Sequence, residues 1–113
     1  MTYVYRGVHA AHPLLEEAKR GSVAPGNIHG KTTPDEHNLG EGLKESPFTS
    51  WTHNYEVALF HARRRGRGGV VLRVTTGAPK PTDPWRWEWS PDVHGEAEVL
   101  LRGPRSGATV ERV

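Results

Sequence analysis

The sequence predicts an α+β domain built on a mixed or antiparallel β-sheet with short helices. Strand-like and helix-like segments alternate in the first half of the chain, whereas several strand-like segments follow one another in the second half. With 113 residues, of which 35% are hydrophobic, the chain can bury one modest core, so we expect a single domain over residues 1–113.

The first predicted elements are a strand, a helix and a long loop. Residues 2–8, TYVYRGV, alternate and are rich in β-branched and aromatic side chains, which is typical of a strand. Residues 12–21, HPLLEEAKRG, predict a short helix, because Pro13 suits its first turn and Gly21 its left-handed end. Residues 22–47 are rich in Gly, Pro, Asn, Asp and Thr and lack a clear periodicity, which predicts a loop. A loop this long is either a binding loop or lid, or disordered.

The middle of the chain predicts a strand, a helix and a further strand. Residues 47–52, PFTSWT, alternate in a strand pattern, and we expect Trp51 to pack in the core. Residues 53–66, HNYEVALFHARRRG, place apolar side chains on one helical stripe, with Asn54 as the N-cap. Residues 70–74, VVLRV, are nearly all apolar, which predicts a strand that is buried on both faces.

The last third of the chain predicts an irregular stretch and two strands. Residues 77–94 are rich in Pro and Trp and are expected to be irregular. Within them, WRWEW (85–89) either exposes an aromatic platform for a partner or, as we favour, packs its three tryptophans together against the core. EVLLRG (98–103) and ATVERV (108–113) predict two strands that a Gly/Pro turn at 103–107 joins as a closing hairpin.

Composition excludes several classes of protein and site. No apolar run approaches the roughly 20 residues of a membrane helix, and the N-terminus lacks a signal-peptide pattern, so we expect a soluble chain without a membrane partner. The absence of cysteine excludes disulfides and thiolate metal sites. The seven histidines lack the spacing of a zinc site, so no metal is expected.

A cluster of arginines carries much of the formal net charge of +2. Its members are Arg63, Arg64, Arg65 and Arg67. Cations suit the C-terminal turn of a helix, so a solvated helix end is one interpretation. A phosphate-contacting patch is the other, but no aromatic residues are interleaved for base stacking, which disfavours nucleic acid as a partner.

Two glutamates stand one residue apart in GEAEVLL (95–101), just before an apolar run. On a strand, residues i and i+2 share a face, so Glu96 and Glu98 point the same way if the strand extends back to residue 96. Two adjacent carboxylates repel each other and need solvent, cations or hydrogen-bond donors. The pair is therefore either a solvated edge or part of a site.

Two further motifs carry polar side chains on predicted strands. In YRG, Arg6 interrupts an apolar pattern, and Gly7 allows a ligand close to the backbone. In FTSWT, Ser50 and Thr52 share one strand face. Each motif alone also fits an ordinary structural role, as a strand arginine or as hydroxyl groups at a strand edge.

Together, and in this order, the three motifs resemble ADP-ribosyltransferase toxins of the arginine, serine, glutamate type with a Glu-x-Glu motif. The likeness covers residues 3–113, and GEAEVLL is its most specific part. The matching residues are Arg6 in VYRGV, Ser50 and Thr52 in FTSWT before YEVALFHA, and Glu96 and Glu98 in GEAEVLL.

The resemblance implies a compact ADP-ribosyltransferase-like fold and a mono-ADP-ribosyltransferase activity. ADP-ribose would pass from NAD to a protein side chain, with arginine favoured. Glu98 would be the catalytic carboxylate, with Ser50 holding it in place, and Glu96 would orient or deprotonate the acceptor. Such a carboxylate stabilises the positive charge that develops as nicotinamide leaves.

The resemblance also implies how NAD would be bound as a substrate. Arg6 would bind a phosphate with its fork of donors, and Gly7 would let the nicotinamide amide approach the main chain. Thr52 would support the strand face that carries Ser50. Residues 22–47 would have to supply the loop that covers NAD.

The chain departs from the family pattern at Trp51 and Thr52, which replace the second and third residues of the usual Ser-Thr-Ser triplet. This departure concerns the acceptor more than the fold. Alternatives are an NAD glycohydrolase, or a non-catalytic module that binds nucleic acid through the arginine cluster or a protein through the tryptophans. As a toxin, the domain would belong to a larger protein, act in a cytoplasm after secretion or injection, and have an immunity protein as a second partner.

Overall fold

The computed structural model describes residues 2–40 and 43–113, so residue 1 and residues 41–42 lie outside the description. The elements are β1 (Tyr3–Val8), α1 (Leu15–Lys19), α2 (Pro34–Asn38), a 3₁₀ turn (Leu43–Glu45), β2 (Phe48–Thr52), α3 (Tyr55–Arg63), β3 (Val70–Thr75), β4 (Arg86–Glu88), β5 (Glu98–Arg102) and β6 (Thr109–Arg112). No helix of the described part is long and apolar enough to span a membrane.

The strands form one six-stranded sheet in the order β4-β5-β2-β1-β3-β6. Every strand pairing in the described residues is antiparallel, which confirms the predicted α+β class and narrows its mixed or antiparallel sheet to an antiparallel one. β1 pairs with β3 along its full length, and β2 pairs with β5 along its full length. Between these two halves, β1 and β2 are paired only where Tyr5 meets Thr52.

The sheet packs apolar side chains on both faces. On one face, Trp51 is 1% exposed and lies in a cluster with Val4, Leu72 and Leu101, which confirms its predicted place in the core. On the other face, α3 covers the sheet through a smaller cluster with Val71. β3 therefore contributes to both faces, as its apolar run predicts.

At two glycines, the backbone of helix α3 lies directly against the sheet. Its N-cap is Asn54, as predicted, and the side chain accepts a hydrogen bond from the Glu56 N–H at 3.0 Å. A Cβ atom at Gly7 of β1 would lie 2.0 Å from the carbonyl oxygen of Ala58. A Cβ atom at Gly69 would lie 2.1 Å from that of Ala62. Only glycine fits at these two positions, because the helix backbone occupies the space of a side chain.

Residues 22–47 are not the loop without regular structure that the sequence predicts. They contain α2 and the 3₁₀ turn that ends at Glu45. A capping box starts α2: the Thr33 side chain accepts from the Glu36 N–H at 3.2 Å, and the Glu36 carboxylate accepts from the Thr33 N–H at 3.0 Å. Pro34 fits the first turn because that position needs no N–H donor.

The predicted hairpin at the C-terminus is wrong. β5 pairs with β2 on one side and with β4 on the other, so neither of its edges is free. β6 pairs instead with β3 at the far end of the sheet. The segment between β5 and β6 therefore runs from one half of the sheet to the other. On the way, Arg105 forms an isolated β-bridge with Val23, which lies between α1 and α2.

The tryptophan segment is partly ordered. It is not wholly irregular, because Arg86–Glu88 form the edge strand β4. Trp85 and Trp87 pack against the core as expected, but Trp89 is 72% exposed. The strand ends at Glu88, so the alternation that would bury the third ring stops one residue too early.

The contact between α3 and the sheet gives a direct test of the fold. We expect Gly7→Ala and Gly69→Ala each to lower the free energy of unfolding by about 2 kcal/mol or more, because the added methyl group meets helix backbone. Gly77→Ala is the matched control, since no atom lies within 4 Å of its added Cβ, and its effect should stay within about 1 kcal/mol. Urea unfolding of the three variants measures this. Equal stabilities for Gly7→Ala and Gly77→Ala would contradict the packing described.

Candidate active site

A cleft of about 670 Å³ lies beside the single pairing of β1 with β2. Its volume falls in the range of small-molecule sites. Residues from both strands line it, together with residues from α2, α3 and the start of β5. All the site residues expected from the sequence are among the lining residues, namely Arg6, Gly7, Ser50, Thr52, Glu96 and Glu98.

Arg6 is a cation on the core face of β1. Strand alternation puts it on the same face as Val4 and Val8, which are both buried. Its Nη1 atom donates a hydrogen bond to the Ser50 carbonyl oxygen at 3.1 Å and so bridges the unpaired part of β1 and β2. Burial lowers the pKa of Arg6 to about 10, and the negative charge of Glu98 opposes that shift. The guanidinium therefore stays charged at neutral pH and has N–H donors left for a ligand.

Glu98 is anchored through one of its two carboxylate oxygens. Oε1 accepts hydrogen bonds from the Ser90 hydroxyl at 2.6 Å and from the Asn38 side-chain amide. Ser90 and Asn38 are both buried, and the Asn38 amide also donates to the Ser90 hydroxyl at 3.2 Å. Oε2 makes no hydrogen bond to the described residues, although Glu98 lines the cleft. The carboxylate is thus oriented by the protein and has one oxygen available to a ligand.

Ser50 does not hold Glu98 in the way the resemblance implies. Its hydroxyl is bonded to His37 Nε2 at 2.9 Å, and His37 Nδ1 is bonded to the Ser46 hydroxyl at 2.7 Å. The described residues include no Ser50–Glu98 hydrogen bond. Asn38 and Ser90 hold the Glu98 carboxylate instead. Ser50 touches the site instead through its backbone, which accepts the bond from Arg6.

His37 is held as a neutral imidazole between two hydroxyl groups. Burial lowers its pKa, the charge of Glu98 opposes that shift, and the charge of Arg6 adds to it. In the neutral form, one ring nitrogen donates a hydrogen bond and the other accepts one, which suits two hydroxyl partners. The ring also packs edge-to-face on Phe48, with centroids 5.9 Å apart.

Glu96 does not share a strand with Glu98. β5 begins at Glu98, and Ala97 adopts a φ of +52°, which ends the extended backbone. The expectation that strand alternation aligns the two glutamates is therefore wrong. Both still line the cleft, because the turn that contains Glu96 folds back beside Thr52.

Two side chains fix the turn before β5 through hydrogen bonds to its backbone. The Thr52 hydroxyl donates to the Glu96 carbonyl oxygen. The Asp92 carboxylate accepts from the N–H groups of Glu96 at 2.9 Å and Ala97 at 3.1 Å. Thr52 thus supports the position of Glu96. The Glu96 side chain reaches His61 of α3, with 3.3 Å between Oε2 and Nε2.

Several site residues could not be selected from the sequence. His37 and Asn38 lie in the segment expected to be a loop, and the Thr33–Glu36 capping box was the one local sign of a helix there. Ser90 lies in the segment expected to be irregular, and no motif distinguishes it. His61 belongs to a predicted helix, but its partner is 35 residues away in sequence.

Another part of the cleft is basic. Arg64 lines it beside His9 and His12, whereas its neighbours in the arginine cluster do not. The pKa of His12 is lowered by burial and by the charges of Arg6, His9 and Arg64. No group of three or more His, Asp or Glu side chains in residues 2–40 and 43–113 could hold a metal ion.

Comparisons of the chain with protein-family models, with curated proteins and with solved structures find no match. The function is therefore inferred from the chemistry of the cleft. That chemistry comprises a fixed cation at Arg6, a carboxylate at Glu98 with a free oxygen, and a second carboxylate at Glu96.

The lowered pKa of His37 makes stability depend on pH. In the unfolded chain the imidazole binds a proton near pH 6.5, whereas in the folded chain it does so only at lower pH. The contribution of neutral His37 to the free energy of unfolding is therefore present above pH 6.5 and is lost as the pH falls below that value. We expect His37→Asn to lose less free energy of unfolding between pH 7.5 and pH 5.5 than the wild type does.

Urea unfolding at several pH values measures this difference. His29→Asn is the control, because His29 is exposed. The His29→Asn profile should parallel that of the wild type. A His37→Asn profile that also runs parallel to the wild type would contradict the lowered pKa of His37.

Proposed function

We propose that this chain is a mono-ADP-ribosyltransferase with an ADP-ribosyltransferase-like fold, and that it transfers ADP-ribose from NAD to a protein side chain, with arginine favoured. The observation that carries the proposal is the convergence of Arg6, Ser50 and Glu98, from three different strands, on one cleft. These residues also carry the sequence resemblance to ADP-ribosyltransferase toxins. Their spacing along the chain does not by itself require that they meet.

Glu98 would act on the nicotinamide ribose. Its free oxygen, Oε2, would accept a hydrogen bond from the ribose 2′-hydroxyl while Oε1 stays bound to Asn38 and Ser90. The bond between C1′ and the nicotinamide nitrogen breaks, and its electron pair leaves with neutral nicotinamide. The carboxylate stabilises the positive charge that develops on the ribose, as in glycoside hydrolysis. A carboxylate that is held in advance does so without reorganisation.

Arg6 would bind a phosphate of NAD. A guanidinium presents five N–H donors, and only one hydrogen bond, to Ser50, is made within the described residues. The basic part of the cleft at Arg64 offers a second cation to the same pyrophosphate. Gly7 lines the cleft as well, and approach of the nicotinamide amide to its backbone remains part of the proposal.

Glu96 would act on the acceptor. It lines the cleft with Glu98 but is held by other groups, so two carboxylates face the same space from separate supports. Two negative charges favour a cationic acceptor such as a guanidinium. With water as the acceptor, the same bond cleavage makes the chain an NAD glycohydrolase, which is the nearest variant.

The biological setting belongs to the same proposal. The reaction consumes NAD, so the site of action would be a cytoplasm, which a toxin would reach by secretion or injection. The partners would be the modified target protein and an immunity protein that blocks the cleft. A non-catalytic role is the second function class. It would bind nucleic acid through the arginine cluster of Arg63, Arg64, Arg65 and Arg67, or a protein partner through the tryptophan segment, in which Trp89 is exposed.

Nicotinamide release tests the proposed catalytic carboxylate. We expect Glu98→Gln to lower the rate of nicotinamide release from NAD by about 100-fold or more, because the neutral amide cannot stabilise the developing charge. Glu16→Gln is the matched control, since that carboxylate is exposed on α1, and its one ion pair among the described residues is with Lys19. If the wild-type chain releases no nicotinamide even with cell lysate as a source of acceptors, the enzyme proposal fails.

A second measurement tests the phosphate contact. We expect Arg6→Lys to raise the KM for NAD by about 10-fold, because an ammonium group lacks the planar fork that binds a phosphate at two points. Arg65→Lys, which changes an exposed arginine outside the cleft, should leave KM unchanged. The thermal unfolding of both variants must be compared, because Arg6 also bonds the Ser50 backbone. An unchanged KM in a folded Arg6→Lys chain would exclude the phosphate role.

A further inference from the structure

We propose that His61 is the positioning residue for Glu96, and that the His61–Glu96 pair takes the proton of the acceptor as the new bond forms. This inference rests on the proposed ADP-ribosyl transfer and adds a residue that the sequence motifs do not contain. The observation behind it is the contact between His61 Nε2 and Glu96 Oε2, at 3.3 Å, on the wall of the cleft.

The position of His61 is fixed by the packing of α3. Ala58 and Ala62 are fully buried against β1, so the helix can neither rotate nor move away without losing that contact. Val57 and His61 lie four residues apart, on one helical face, and both line the cleft. The imidazole is therefore presented to the cleft by a rigid element.

The position of the Glu96 backbone is fixed as well, but its side chain is not. Thr52 binds the carbonyl oxygen, and Asp92 binds the N–H group. The side-chain carboxylate has His61 as its one hydrogen-bond partner among the described residues. Without that partner, the carboxylate would sample several rotamers beside the acceptor.

Stability gives no sufficient reason for the pair. Each side chain is about one-third exposed, at 33% for His61 and 34% for Glu96, and a polar contact this exposed contributes little to folding. The exposure instead gives both groups access to an incoming side chain and to solvent. The His61 ring also lies edge-to-face with the Phe60 ring, with centroids 5.6 Å apart.

The proposed step balances in protons and electrons. A guanidinium acceptor loses one N–H proton, and the nitrogen lone pair that this frees forms the bond to C1′ of the ribose. The electron pair of the broken bond leaves with nicotinamide. The proton passes to the Glu96 carboxylate, which shares it with His61, and then to solvent. Proton transfer of this kind typically contributes a factor of 10² to 10⁴ to a rate.

The two carboxylates have separate supports, which makes the inference testable. Glu98 is held by Asn38 and Ser90, whereas Glu96 is held by His61. Loss of His61 should therefore impair transfer to the acceptor and spare the cleavage of NAD. A residue that merely supports the fold would affect both steps together.

The experiment measures both steps in one reaction. The purified chain is incubated with NAD and agmatine, a small guanidine, and nicotinamide and ADP-ribosyl-agmatine are quantified. We expect His61→Ala to lower the ratio of transfer to nicotinamide release by about 10-fold or more, with release within about two-fold of wild type. His53→Ala is the control, because His53 is an exposed histidine that does not line the cleft.

His61→Gln separates positioning from proton transfer. Its amide can donate a hydrogen bond to Glu96 but cannot share a proton, so the KM for agmatine should recover while the turnover of transfer stays low. It also serves if His61→Ala fails to fold. An unchanged ratio in whichever of these variants folds would overturn the inference, as would a parallel loss of release and transfer.

Failure of the inference differs from failure of the proposed function. If the wild-type chain releases no nicotinamide, the enzyme proposal itself fails. If it releases nicotinamide but leaves agmatine unmodified, NAD cleavage stands and the inference for a guanidine acceptor is overturned.

Discussion

The close contact between α3 and β1 is the constraint on which the rest of the structure depends. At Gly7 and Gly69 no side chain separates the sheet from the helix, and Ala58 and Ala62 bring the helix backbone onto these two points. This contact fixes α3 beside the point where β1 and β2 are paired only once. The cleft is the space that remains, so its walls are set by packing before any ligand binds.

The two carboxylates of the cleft have different side-chain partners. Arg6 is tied to the backbone of β2, and the carboxylate of Glu98 is tied to buried amide and hydroxyl groups. The Glu96 side chain contacts His61 of α3, and its backbone N–H donates to the Asp92 carboxylate. This division matches the proposed chemistry, in which one carboxylate serves the ribose and the other serves the acceptor.

How much the sequence could predict depends on how local each signal is. Arg6 and Glu98 lie in strands whose patterns are local, so both could be placed on strands from the sequence alone. Asn38 could not, because its contact with Glu98 joins residues 60 apart and depends on the fold of the segment before β2. The positive φ of Ala97 was also hidden, since alanine gives no sign of a left-handed backbone. The pairing of β6 with β5 was wrongly predicted for a similar reason, because the choice of a partner strand depends on the whole sheet.

The anchoring of Glu98 by α2 links the chemistry of the cleft to a small unit of local order. α2 is a helix of five residues, far shorter than a helix that is stable alone in water. Asn38 is held in turn by the Val93 N–H at 2.8 Å and by the His94 ring at 3.1 Å, so the two segments secure each other. Local opening of this unit would release the carboxylate while the sheet stays folded. The geometry of the cleft and the global stability of the chain are therefore separate properties, and evolution can adjust the first without weakening the second.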